Sequence, residues 1–304
     1  MIVGNIYSFG KSAGFAAGSE RVLGLSEFID LNIELGVRKI EIPFDFYFNI
    51  NSSFLLKNFV KTCEQKELSY FIALENYSFD YLMYLNRNLP RQERFVRVKI
   101  SRFYGGNRHL HSEMYRNSLL EFRLFMSRVL AEDELNLWTI LIENHQDVSY
   151  QDLEGLLDQY KGRLALVWDT GNSLPTGLTP QLFSEHFRSS IKHIHLKDYQ
   201  LSIIDGDLYL ARCVLGLGHI DVVEVVSEFS NIDLSIELGA HAPRVCKWSD
   251  PAWWNSVEQK TKDRVLSFVG DKIGINATLP GVISFESELS DYKDSINVIK
   301  RILV

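Results

Sequence analysis

Four residues in the second half of the chain are of the types that hold a divalent cation, and each ends a short apolar run. They are Glu143 in Ile-Leu-Ile-Glu-Asn, Asp169 in Leu-Val-Trp-Asp-Thr-Gly-Asn, His195 in His-Ile-His-Leu-Lys-Asp and Glu237 in Leu-Ser-Ile-Glu-Leu. The separations are 26, 26 and 42 residues, each enough for one helix and a return strand. Three carboxylates in one place repel one another and resist burial unless a cation joins them. Three oxygen donors and an imidazole nitrogen favour Mn²⁺, Mg²⁺, Co²⁺ or Fe²⁺, and Zn²⁺ also fits. Singly, each residue is weak evidence. Asp169 serves equally well as a turn residue or helix cap, and a lone histidine is more often a hydrogen-bonded structural one. Together they predict one divalent ion per chain.

The elements that must position them alternate between apolar runs and segments of helical period. Strands are expected at Ile2–Ser8, Val37–Phe44, Leu68–Leu74, Phe95–Ile100, Leu137–Ile142, Leu164–Trp168, Ile191–Leu196 and Leu234–Leu238. Helices are expected at Glu20–Leu35, Phe54–Lys66, Phe79–Leu85, Glu113–Leu130, Tyr150–Tyr160, Pro180–Phe187, Ile220–Phe229 and Asp291–Leu303. Eight such units predict an α/β fold, a (β/α)₈ TIM barrel, whose active sites lie at the strand C-termini. The chain has 304 residues, more than the roughly 250 of a typical barrel. It therefore reads as a single domain, 1–304, with an insertion at about 245–290 after strand eight. That insertion holds Trp248, Trp253, Trp254, a helix near Asn255–Val269 and the turn-rich Gly-Ile-Asn-Ala-Thr-Leu-Pro-Gly. The net charge of −7 gives no basic surplus for nucleic acid, and no apolar run approaches the roughly 18 residues of a membrane span. Cys63, Cys213 and Cys246 are widely spaced, which suits reduced thiols in a cytoplasmic protein.

These residues and their surroundings resemble the xylose-isomerase-like TIM barrels of the sugar phosphate isomerase/epimerase superfamily. The matching stretches are Ile142-Glu143-Asn144-His145, Trp168-Asp169-Thr170-Gly171-Asn172, Lys192-His193-Ile194-His195-Leu196-Lys197-Asp198, Leu215-Gly216-Leu217-Gly218-His219-Ile220-Asp221 and Ser235-Ile236-Glu237. The resemblance implies that Glu143, Asp169, His195 and Glu237 are the metal ligands. It also implies that Glu143 and Glu237 face each other across the substrate and that Lys197 and Asp198 lie beside the site. Two departures argue against a free ketohexose. Asn172 stands where the ketohexose epimerases carry a histidine, and Leu201 where they carry an arginine. The chain also lacks the strand-end histidines of the superfamily's DNA-repair nucleases.

A sugar diol or 2-hydroxy carbonyl presents two adjacent oxygens to such an ion, which acts as a Lewis acid on the neighbouring C–H. One carboxylate can take that proton and another return it, and Glu143 and Glu237 are the expected catalytic pair. Ligation lowers their basicity, so each must keep one oxygen free of metal. Substrate contacts are expected from Asn144, Lys197 and Arg244. Asn144 has a loop-capping alternative, and Arg244 suits a carboxylate, a phosphate or a structural acid. Glu41, Glu75, Asn76 and Lys99 end earlier strands and suit substrate binding, capping or salt bridges. His193 suits a partner for the site or barrel filling. Gly216 and Gly218 lack the lysine of a phosphate loop, so nucleotide binding is not expected. The tryptophans suit a lid for a sugar or a packed anchor, the anchor being favoured for two of the three.

The expected function is a metal-dependent isomerase or epimerase of a sugar or cyclitol, with a small sugar as partner and no nucleic acid or membrane. Homo-oligomers are compatible with it. A dehydroshikimate-type dehydratase, a keto-glycoside-cleaving lyase and a non-catalytic carbohydrate-binding barrel are the alternatives.

Overall fold

The computed structural model describes residues 1–15, 22–90, 94–100, 106–146, 148–239, 243–273 and 284–303. Among them the strands are β1 (Ile2–Asn5), β2 (Lys39–Pro43), β3 (Ser69–Ala73), β4 (Arg94–Val98), β5 (Trp138–Glu143), β6 (Leu164–Asp169), β7 (Ile191–Leu196), β8 (Tyr199–Ile204), β9 (Asp207–Arg212), β10 (Asp233–Ile236) and β11 (Arg244–Cys246). Eight of them close into a parallel barrel in the order β1-β10-β7-β6-β5-β4-β3-β2. The longer helices are α1 (Leu25–Glu34), α2 (Phe54–Gln65), α3 (Phe79–Asn88), α4 (Ser112–Ala131), α5 (Tyr150–Gln159), α6 (Pro180–Phe187), α7 (Val222–Glu228), α8 (Gln259–Lys272) and α9 (Phe285–Ile302).

Strand alternation sorts the side chains. Ile42, Val96, Ile140, Trp168, Ile194 and Ile236 join the main core shared with the helices. The opposite faces of β3, β5 and β6 place Phe71, Leu141, Ala165 and Val167 in a small separate cluster, which fills the barrel as layered side chains do. Two residues beyond Leu141 and Val167, on the same inward faces, come Glu143 and Asp169. Register then sets Asp169 against His195, and His195 against Ser235. The helices that return the chain are stopped locally. The Ser149, Thr179 and Asp221 side chains accept from backbone N–H groups and start α5, α6 and α7.

Three expectations need correction. No element is expected just after β7, where the chain forms an antiparallel hairpin, β8–β9, which β11 joins as a third strand. Asp205 (φ 52°) and Gly206 (φ 82°) form its two-residue turn, a conformation that Asp-Gly favours. The last helix begins at Phe285 rather than Asp291, because Ser284 and Ser287 form a reciprocal capping box. The insertion helix runs Gln259–Lys272 rather than Asn255–Val269. Glu20 of the expected first helix and the Gly-Ile-Asn-Ala-Thr-Leu-Pro-Gly stretch lie outside the described residues. All three tryptophans of the insertion are buried, at 2–7% exposure, against Tyr199, Leu201, Leu210 and Val265. They form a second core beneath the hairpin, which is the anchor role and not an open lid. Among the described residues no helix is long and apolar enough to cross a membrane.

Candidate metal centre

Barrel closure brings Glu143, Asp169, His195 and Glu237 together. Each offers one ligand atom within 4.8 Å of all the others, and all four are buried. The order β10-β7-β6-β5 makes Glu237 and Glu143 the outer members of a four-strand arc, with His195 and Asp169 between them.

The imidazole is held in a defined sense. Its Nε2 lies 3.0 Å from both oxygens of Glu41, which also accepts from Ser235 at 2.6 Å. Nδ1 lies 2.9 Å from Glu237 Oε2, without hydrogen-bond geometry to it. A carboxylate behind one nitrogen orients a metal-binding histidine so that its other nitrogen faces the ion. His193 stacks on Phe71 at 4.0 Å and approaches Glu41 at 3.3 Å, so it belongs to this supporting layer. Glu41, His193 and His195 also cluster within 4.8 Å, but Arg97 stands 3.5 Å from Glu41, and a positive neighbour disfavours a second cation there.

Lys197 Nζ lies 2.5 Å from Asp169 Oδ2 and 2.7 Å from Glu237 Oε1. A fixed ammonium thus stands where two ligand carboxylates meet. Asn172 donates to Asp169 Oδ2 at 2.6 Å and to Glu143 Oε1 at 3.4 Å, and it accepts from Arg244 at 3.1 Å. Arg97 Nε lies 3.2 Å from Glu143 Oε2, and Asn5 donates to Glu237 Oε2 at 3.2 Å. Asn144 is used differently from the substrate contact expected of it. Its amide donates to the Asp169 carbonyl at 2.9 Å and its oxygen accepts from the Asp169 N–H, so both ends hold the ligand's own peptide. Leu201 packs in the tryptophan core, far in character from the arginine role its position suggests. Asp198 accepts from the N–H groups of Tyr199, Gly216, Gly218 and Ile220, so a carboxylate of the chain fills the glycine loop.

The buried charges oppose one another in pairs. Burial would depress the His195 imidazole, but Glu41 and Glu237 push it up to about 10. Burial raises the Asp169 carboxyl to about 6 against the opposing Lys197. Burial would raise Glu237 too, yet Lys197 and His195 hold it well below the usual range. His195 and His193 likewise hold Glu41 down against its burial. Burial resists the Lys197 ammonium, and Asp169 and Glu237 more than restore it.

The donor set fits a divalent ion. Three carboxylates converge, and the buried His195 Nδ1 and Glu143 Oε2 carry no hydrogen bond. Unsatisfied buried donors and acceptors of this kind are costly unless something fills the site. Four expected ligands and both expected cations thus meet here. Arg97, Asn5 and Tyr199 were not anticipated, although Arg97 in Arg-Phe-Val-Arg-Val shares the inward parity of its strand.

No family model and no curated protein matches this chain. Solved structures do. An L-ribulose 3-epimerase superposes with a TM-score of 0.55 at 13% identity, covering 99% of this chain and 94% of that one. D-allulose 3-epimerase from Methylomonas sp. gives 0.52 at 12%, covering 99% and 97%. A xylose isomerase domain protein from Planctomyces limnophilus gives 0.52 at 12%, covering 82% and 93%. At these identities the likeness is one of fold alone, a parallel eight-stranded α/β barrel.

Proposed function

We propose that this protein is a divalent-metal-dependent isomerase or epimerase of a small sugar or cyclitol derivative. The observation that carries the reading is the buried convergence of Glu143, Asp169, His195 and Glu237 within 4.8 Å at the C-terminal end of the barrel. Similar structures that are by name 3-epimerases of sugars support the substrate class.

Glu143, Asp169, His195 and Glu237 would hold the ion, which when bound supplies Lewis acidity to a carbonyl and its neighbouring hydroxyl. Glu41 keeps the His195 ring in place, and Asn144 fixes the Asp169 backbone. Glu143 and Glu237, at the two ends of the arc, serve as the acid and base that move a carbon-bound proton. Arg97 pairs with Glu143, and Lys197 beside Glu237 favours the ionised form of Glu237. Lys197 also brings positive charge to the place where a substrate oxygen gains negative charge.

Incubation in D₂O with a panel of keto-sugars tests this. Metal-loaded protein should place deuterium at one carbon, and Glu143→Gln and Glu237→Gln should each slow turnover by about 10²–10⁴-fold. Turnover of an identified substrate at an unchanged rate in both variants refutes the pair. Elimination begins with the same proton removal, and a dehydrated product would move the reading from isomerase to lyase.

A further inference from the structure

Resting on the metal-dependent reading above, the geometry points to a carboxylate-binding subsite made by Arg244 and Tyr199, so that the substrate is a sugar acid and not a neutral sugar. Tyr199 opens β8 four residues past His195 and is 1% exposed. Its ring packs against the tryptophan core, but its Oη has no hydrogen-bond partner. A buried phenol left in that state is costly, and phenylalanine would fill the same space without the penalty. The hydroxyl therefore needs a partner that none of the described residues supplies.

The Tyr199 hydroxyl is aimed at the mouth of the site. A Cβ added to Gly239, two residues after Glu237, would lie 3.1 Å from Tyr199 Oη and 3.2 Å from Lys197 Cε. Gly239 also has φ +80°, so the chain keeps this spot free of a side chain on two grounds. Arg244 reaches the same place from β11. One end of its guanidinium is fixed on Asn172 Oδ1 at 3.1 Å, while its Nε is buried without a partner. Asn172, its partner, also donates to Asp169 and Glu143, so the guanidinium borders the candidate ligand carboxylates. A guanidinium N–H and a phenol hydroxyl, both buried and unpaired, match the two oxygens of a carboxylate.

Charge balance decides between a carboxylate and a phosphate. Among the described residues, Glu41, Glu75, Glu143, Asp169 and Glu237 face the fixed cations Arg97, Lys99, Lys197 and Arg244. With His195 neutral, as ligation of an ion requires, one negative charge is in excess, and a divalent ion turns that into one positive charge. A monoanion neutralises it, whereas a phosphate, near −2 at neutral pH, overshoots.

Calorimetric titration of the Mn²⁺-loaded protein tests the subsite, with metal content measured separately by elemental analysis. The probes are erythronate, its neutral counterpart erythritol, and erythritol 4-phosphate. Erythronate should bind at least about tenfold more tightly than either of the others, as a charge-assisted contact requires. Arg244→Met should reduce that preference about tenfold and Tyr199→Phe about fivefold, with the metal retained in both. Erythronate that binds no better than erythritol, or a phosphate that binds better than erythronate, overturns the inference. So does a preference unchanged in both variants. A chain that takes up no metal refutes the isomerase reading as well, so the two failures are told apart by the elemental analysis.

Discussion

The ammonium of Lys197 is 1% exposed and is held between Asp169 and Glu237, so it already does electrostatically part of what an ion would do. Removing one partner of a buried ionic cluster leaves the others uncompensated, at a cost of about 3–5 kcal/mol. Lys197→Met should therefore destabilise the chelator-treated protein by about that amount. Saturating Mn²⁺ should recover most of the loss, because the ion supplies the missing positive charge. Urea unfolding with chelator and with Mn²⁺ measures both. An equal gap between parent and variant under the two conditions contradicts the shared role of lysine and metal. Sequence parity alone places Lys197 beside His195, but its carboxylate partners depend on barrel closure, which joins positions 28 and 40 residues away.

At the scale of elements, the hairpin β8–β9, strand β11 and helix α8 form a second packed unit around the tryptophans, and Arg244 sits on that unit. Trp253 is 2% exposed and meets Trp254 at 4.7 Å and Trp248 at 5.7 Å. Trp253→Ala should cost about 3–5 kcal/mol in urea unfolding while the metal stoichiometry is kept. Unchanged stability with altered sugar binding would instead fit a lid. The barrel itself was legible because strands buried on both faces read as apolar runs, and because the four ligands end those runs. The hairpin was legible in principle, since Tyr-Gln-Leu-Ser alternates apolar with polar residues and Asp205-Gly206 supplies the turn. Ser287 in the capping box of α9 stands where glutamate or glutamine is usual, which hid that helix start. Asn144 does what its capping alternative suggests, but its partner, a neighbouring strand's peptide, is set by barrel closure and not by local sequence.

For the whole molecule, the barrel mouth is a network of opposed charges, and its stability follows pH accordingly. Burial would raise the Glu75 carboxyl, but Lys99 and Arg97 hold it at about 2. A carboxyl with a lowered folded pKa stabilises fully above its ordinary value of 4.5 and loses that stabilisation as pH falls through about 2. The pH-dependent part of the stability gap between parent and Glu75→Gln should be about 3 kcal/mol at neutral pH and vanish towards pH 2. A gap constant from neutrality to about pH 3 contradicts this assignment. The central claim is that closure of the barrel builds one divalent-metal centre from four strands. Anomalous diffraction from a crystal soaked in Mn²⁺ tests it most directly. One peak is predicted, within about 2.0–2.4 Å of Glu143, Asp169, His195 Nδ1 and Glu237. No peak there, or a peak between Glu41 and His193 instead, would contradict it.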